Sequence, residues 1–232
     1  MEVISKDINN KRIYAFKSKD VFLHFIKDKK SILIALNAEK LNKADQELDK
    51  IINNNIGYPD GIGAVLALKR KGVESIKIAG AEFWLDIIKK YQTKKSFYLI
   101  GGSKEVIEKT IVKLYEDYPS ININGYRDGY LKDGYEAALL EDIVKTKPDV
   151  IFVAMGSPKQ EFLMEKYLKV YPALYMGLGG SFDVYTGKIK RAPKIYQNLG
   201  LEWFYRLLKE PTRWRRQLTY INFSIRLMLN KI

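Results

Sequence analysis

Short apolar runs rich in β-branched residues alternate along the chain with longer stretches in which apolar side chains recur every three or four positions. The short runs predict strands over "SILIAL" (31–36), "SIKIAG" (75–80), "SFYLIGG" (96–102), "ININGY" (121–126), "DVIFVAMG" (149–156) and "ALYMGLGG" (173–180). Helical periodicity lies between them, at about 39–53, 61–71, 82–93, 103–117, 135–147 and 158–169. Strand and helix in alternation indicate an α/β fold with a mostly parallel sheet covered by helices on both faces. Sheets of that kind bind ligands outside the carboxyl ends of their strands, so the strand-to-helix junctions are where chemistry is sought. The pattern changes near residue 190: the remainder shows no strand signal, and Trp214, Leu218, Ile221, Ile225 and Met228 form a helical stripe with Arg213, Arg215, Arg216 and Arg226 around it. Pro211 suits the opening of that helix. The expected division is an α/β core over 1–190 and a basic helical appendage over 191–232.

Composition narrows the chemistry. With 47% hydrophobic and 12% aromatic residues, 232 residues can bury a real core. Cysteine is absent and the one histidine, His24, sits in "VFLHFI", a helix stretch near the core. Disulfides, thiolate metal sites and a Ser-His-Asp triad therefore have little to work with, and no Asp-x-Asp motif offers a metal-diphosphate site. Catalysis falls to carboxylates, amides, hydroxyls, Lys, Arg or backbone groups. No stretch reaches the roughly 18 apolar residues of a membrane span, and the start of the chain lacks a signal pattern, so a cytoplasmic location is expected. The net charge is +13, of which residues 188–232 carry +9. A basic, aromatic-rich tail points to phosphate-bearing partners: nucleic acid, an anionic membrane, or a diphosphate substrate.

Five junctions carry candidates. In "YPDGIG", Asp60 is either a turn residue and helix cap or the group that performs the chemistry. In "LIGGSKE", Gly102 and the Ser103 cap make either a tight turn or a phosphate cradle at a helix N-terminus. "VAMGSPKQE" places Ser157 as a cap, Pro158 at the first helical position and Gln160 in the first turn, aimed at the strand ends. In "GLGGSFDVYTGKIKRAPK", glycines including Gly180 let backbone approach something closely, and Asp183 either meets a ligand hydroxyl or caps a turn. In "LNAEK", Asn37 is both a good N-cap and a neutral partner for a sugar or base. No G-x-G-x-x-G is complete, which argues against a dinucleotide site.

Together "LNAEKL", "YPDGIG", "VAMGSPKQE", "GLGGSFDVYTG", "KRAPK" and the "LGLEWFYRLLKEP" segment resemble the WecG/TagA/CpsF family of bacterial glycosyltransferases, from about residue 31 to 218. The resemblance implies a Rossmann-like core and an inverting, metal-independent transfer of a sugar from a UDP donor to an undecaprenyl-diphosphate-linked acceptor. It places the enzyme peripherally on the inner face of the cytoplasmic membrane, with a C-terminal appendage that meets the membrane and completes the active site. It puts the catalytic carboxylate on Asp60, the polar strand-end residue on Asn37, the motif glutamine on Gln160, and the diphosphate-holding arginines on Arg206, Arg213 and Arg216. Lys77, Gly102, Gly180, Asp183 and Arg191 of "KRAPK" complete the expected substrate contacts. Two positions depart from teichoic-acid members: Ala35 stands where they have Thr, and Lys77 where they have Arg. The motif forms look most like the N-acetylmannosaminuronate transferase branch, which tilts the donor toward UDP-ManNAcA over UDP-ManNAc or UDP-glucose.

For the appendage, an apolar stripe among arginines suits an anionic membrane interface; the alternative is a helix packed on the core or on a second subunit of a homo-oligomer. A nucleic-acid-binding module would share the charge but would leave the strand-end glycines and "GSPKQE" without a purpose, so no nucleic-acid partner is expected. A non-catalytic sugar-nucleotide-binding protein is the third class, kept in view by Ala35 and Lys77.

Overall fold

A computed structural model describes residues 3–130, 135–190 and 214–229, with 192–193, 195–196, 204–205 and 207; in the last long segment side chains are described from residue 219. The chain opens with a hairpin, β1 (Ser5–Ile8) and β2 (Lys11–Tyr14), paired antiparallel from Ser5↔Tyr14 to Ile8↔Lys11. Its turn residues Asn9 and Asn10 both have positive φ, 49° and 63°, which matches the twist of the flanking strands and which Asn tolerates better than most residues. Helix α1 (Lys19–Ile26) follows, capped by the Ser18 hydroxyl accepting from the Val21 N–H, and it turns His24 to solvent rather than toward the core.

The main sheet takes β3 (Ser31–Leu36), β4 (Ile56–Pro59), β5 (Ser96–Gly101), β6 (Asn122–Arg127), β7 (Val150–Ala154) and β8 (Leu174–Gly177). All its pairings are parallel, in the order β4-β3-β8-β7-β5-β6. Between strands run α2 (Ala38–Asn42), α3 (Gln46–Asn54), α4 (Ile62–Arg70), α5 (Gly80–Tyr91), α6 (Lys104–Asp117), α7 (Tyr135–Thr146) and α8 (Lys159–Leu168). Helix α9 (Ser181–Tyr185) follows β8, and α10 (Trp214–Met228) closes the described chain. Successive strand residues point to opposite faces, so Ile32, Ile34 and Leu36 pack under α2, α3, α4, α8 and α10, while Leu33 packs toward α1, α5, α6 and α9. The architecture is the expected Rossmann-like α/β fold with both faces covered.

Three expectations change. "SIKIAG" is not a strand: the Ile76 N–H donates to the Phe16 carbonyl and the Ile78 N–H to the Pro59 carbonyl, each at 2.9 Å, so the segment is a strap between two neighbours rather than a rung of a ladder. The strand in that region is β4, four residues ending in proline and too short to show a period. The expected helix at 39–53 is two helices, because Lys43 is extended and Asp45 opens α3 by accepting from the Leu48 N–H. The start of α8 also shifts by a residue: Pro158, joined to Ser157 by a cis peptide, holds the N-cap position and Ser157 does not.

Helix α10 lies on the core through one face and leaves the other bare. Phe223, 1% exposed, and Leu227 join the cluster beneath α2 and α4, while Ile221, Ile225, Met228 and Leu229 stay exposed, Met228 at 74%. The Arg226 guanidinium fixes the docking by donating to the side-chain oxygens of Asn42 (2.9 Å) and Asn9 (3.0 Å). Packing on the core, one of the two roles expected of this helix, is thus seen for its Phe223 face.

Candidate active site

The carboxyl ends of β3 and β4 form one flank of the site. Asn37 follows β3 as the N-cap of α2, its side-chain oxygen accepting from the Lys40 N–H at 2.9 Å. Asp60 follows β4, and its N–H donates to the Leu36 carbonyl at 2.9 Å, tying its turn to the one that carries Asn37. The N-cap of α4 is Gly61, at φ +100°, a backbone that L side chains rarely adopt, and Asp60 stands just before it, half-buried. No side chain caps α4, so the N-cap position expected for Asp60 belongs to Gly61. Lys77 lies half-buried on the strap whose Ile78 N–H meets the Pro59 carbonyl, so the chain brings it to the same corner. Tyr58 is fully buried beneath this flank. Its hydroxyl is pushed far above the ordinary tyrosine range, first by burial and then by the negative charges of Asp60 and Glu161. Both carboxylates therefore act on one buried hydroxyl.

The ends of β5, β7 and β8 form the other flank, an open cleft of about 950 Å³. Gly102, Gly180 and Asp183 line it, together with Tyr130, Lys159, Phe162, Lys166 and Lys188. The turn that leads into it needs glycine: at Gly101, φ +134°, an added Cβ would sit 2.2 Å from the Ala154 carbonyl oxygen. The next residue, Gly102, accepts from the Gly129 N–H, which folds the loop after β6 over the glycine pair. Ser103 caps α6 by accepting from Val106. Lys166 bonds to Glu136, and Lys188 lies 3.8 Å from Asp183, so Lys159 adds positive charge to a wall of otherwise balanced pairs. An anion with hydroxyl groups suits such a wall. The lysines Lys159 and Lys166 were legible as one face of α8, seven residues apart with Phe162 and Leu163 between them. Tyr130 carried no such signal, because only the fold of its loop brings it in.

Gln160 joins the two flanks from inside. It is 4% exposed; its side-chain oxygen accepts from the Gly179 N–H at 2.9 Å and its amide donates to Glu161 at 3.2 Å. It reaches the strand ends as expected, yet its polar atoms hold the protein's own loop. Arg191, Arg206 and Arg213 lie outside the described residues, and so does the side chain of Arg216, whose backbone is in α10.

A sequence model of the glycosyl transferase WecG/TagA/CpsF family matches residues 8–232. The chain belongs to that family. As a member of the WecG/TagA/CpsF family it is a glycosyltransferase of cell-surface polysaccharide synthesis, a class that uses a nucleotide-sugar donor and a lipid-linked acceptor. The match extends well before residue 31, where the recognisable motifs begin, and so takes in the β2 strand and α1. Among the described residues no helix is long and apolar enough to cross a membrane, and no three His, Cys, Asp or Glu side chains are grouped to hold a metal ion.

Proposed function

We infer that this family member is an inverting glycosyltransferase that moves N-acetylmannosaminuronic acid, or a related hexosamine, from a UDP donor to undecaprenyl-diphosphate-linked GlcNAc. Asp60 is its general base. One observation carries this reading: a half-buried carboxylate and an amide in adjacent tied turns, Asp60 and Asn37, stand at the same sheet edge as a cleft lined by glycines and lysines. The donor's UDP lies in the cleft and the acceptor approaches over β3 and β4. Asp60 takes the proton of the acceptor hydroxyl as that oxygen bonds the donor's anomeric carbon; the bond from that carbon to the diphosphate breaks, and UDP leaves with the electron pair on the opposite face. Charge gathering on the leaving group is offset by Lys159 and the glycine-rich turns and, from the appendage, by Arg191, Arg206, Arg213 and Arg216, without a metal ion. Lys77 and Asn37 orient the sugars. The choice of the uronate over ManNAc or glucose rests on the motif forms, which look most like the N-acetylmannosaminuronate transferase branch.

The exposed stripe of α10, set among the basic residues of the tail, supports attachment to an anionic membrane surface, where a lipid-linked acceptor resides. The reaction is tested by supplying UDP-ManNAcA, UDP-ManNAc, UDP-glucose and UDP-GlcNAc with a short-chain prenyl-diphosphate-GlcNAc and following UDP release. Release with the uronate donor is expected, and in Asp60→Asn the rate should fall about 10²–10⁴-fold, the usual worth of a general base. UDP affinity, measured by calorimetry, should stay within about threefold. Full activity in Asp60→Asn removes Asp60 as the base.

A further inference from the structure

Glu161 has no part in the mechanism above, yet among the described residues it is the most buried charged group at the sheet edge, 1% exposed in the third position of α8. One carboxylate oxygen accepts from the Lys40 ammonium at 2.7 Å and from the Gln160 amide at 3.2 Å; the other, equally buried, has no hydrogen-bond partner among the described residues. Its two partners each hold a turn of the active site. Lys40 is in α2, and its own N–H is the donor that Asn37 caps. Gln160 accepts from Gly179 in the turn after β8. The Asn37 turn is in turn bonded to Asp60 through the Leu36 carbonyl. A continuous chain of contacts thus runs from the base flank to the donor flank, and the Lys40–Glu161 ion pair is its central link.

Stability alone is a poor reason for such a link. A buried ion pair seldom outperforms apolar residues of the same volume, and a carboxylate oxygen left without a donor adds a further desolvation cost. What the pair does supply is a fixed separation between two helix starts that no strand pairing sets directly, since Lys40 and Glu161 are 121 residues apart in sequence. Transfer requires the base, the acceptor oxygen and the anomeric carbon to be aligned, and a misplacement of about 1 Å can cost on the order of 10²-fold in rate.

We propose that Glu161, with Lys40, is a positioning pair of the transfer reaction: it holds the Asn37–Asp60 flank in register with the donor cleft without touching substrate. This rests on the assignment of Asp60 as base and of the cleft as the donor site. The test compares Glu161→Gln, Lys40→Met and the double variant in the full chain. Each single variant should lower kcat about 10–100-fold while leaving UDP affinity within about threefold, because neither side chain lines the cleft. The double variant should be no more than about threefold slower than the worse single, as expected of groups that act as one unit.

Hydrogen exchange gives a readout that does not depend on activity. In Lys40→Met, amides of residues 37–43 should exchange at least tenfold faster while Gly179 keeps wild-type protection; in Glu161→Gln, Gly179 should also exchange faster. Unchanged kcat in folded Lys40→Met, set against an inactive Asp60→Asn, overturns the proposal. So does a loss of UDP affinity equal to the loss of rate, or additive effects in the double variant. If Asp60→Asn proves active, the functional assignment fails first, and unchanged exchange at residues 37–43 in Lys40→Met then overturns the brace on its own.

Discussion

Tyr58 shows how a single buried group shapes the site. Its hydroxyl is fully enclosed and has no partner among the described residues, and a Cβ added at Gly80 would sit 2.7 Å from that oxygen. Tyr58→Phe should therefore leave the unfolding free energy unchanged or raise it by about 1 kcal/mol, since an unsatisfied polar atom is removed with little change of shape. Gly80→Ala should cost about 1–3 kcal/mol by overpacking. In the Tyr58→Phe background most of that cost should vanish, because the obstructing oxygen is gone. Urea unfolding of the three variants decides it, and additive effects would show that the clash is relieved elsewhere.

At the scale of elements, helix starts and dockings decide where the site residues stand. Helix α3 exists as a separate element because Asp45 caps it, and the Leu48 N–H, its main partner, holds the Asp45 carboxyl below the usual range. A lowered folded-state value means that the cap stabilises fully above the unfolded aspartate value and is lost as pH falls through the folded one. Asp45→Ala should thus cost about 1 kcal/mol near neutral pH, and the difference from wild type should narrow as pH falls below the ordinary aspartate range in paired denaturation curves. Helix α10 acts on the other side of the same region. The Phe223 ring lies 3.3 Å from where a Cβ on Gly63 would sit, and that same Cβ would be 3.1 Å from Ala38, so the ring packs on the first turn of α4 where that turn meets the start of α2. Phe223→Ala should cost about 3–5 kcal/mol of the stability of this docked unit. It should also speed amide exchange at the start of α4, next to Asp60, more than in α6 on the opposite face.

The whole molecule has a basic tail helix with one face docked and one bare. If the bare face enters lipid, Ile225→Asp combined with Met228→Asp should abolish co-sedimentation with phosphatidylglycerol vesicles while shifting unfolding by no more than about 0.5 kcal/mol, as exposed positions do. Wild-type binding should weaken as salt rises past about 0.15 M and lose its electrostatic share without vanishing, because the apolar face is not screened. Binding that persists unchanged in the double variant would assign membrane contact to another surface.

The sequence by itself determined the α/β alternation, the parallel sheet, the place of the junctions and the chemistry available to them, because periodicity, glycine, proline and the lack of Cys are local properties of the chain. Motif resemblance placed Asp60 and Asn37 at the same edge. What only the tertiary structure decided are relations between distant segments. It showed that "IGYP" and not "SIKIAG" completes the sheet, since a four-residue strand is specified by its neighbour's hydrogen bonds rather than by its own pattern. It showed that Gln160 faces inward to Gly179. And it gave Glu161, silent in the sequence, a partner in Lys40, because the pairing of two helix starts depends on how β3 and β7 lie on either side of β8, which no local pattern encodes.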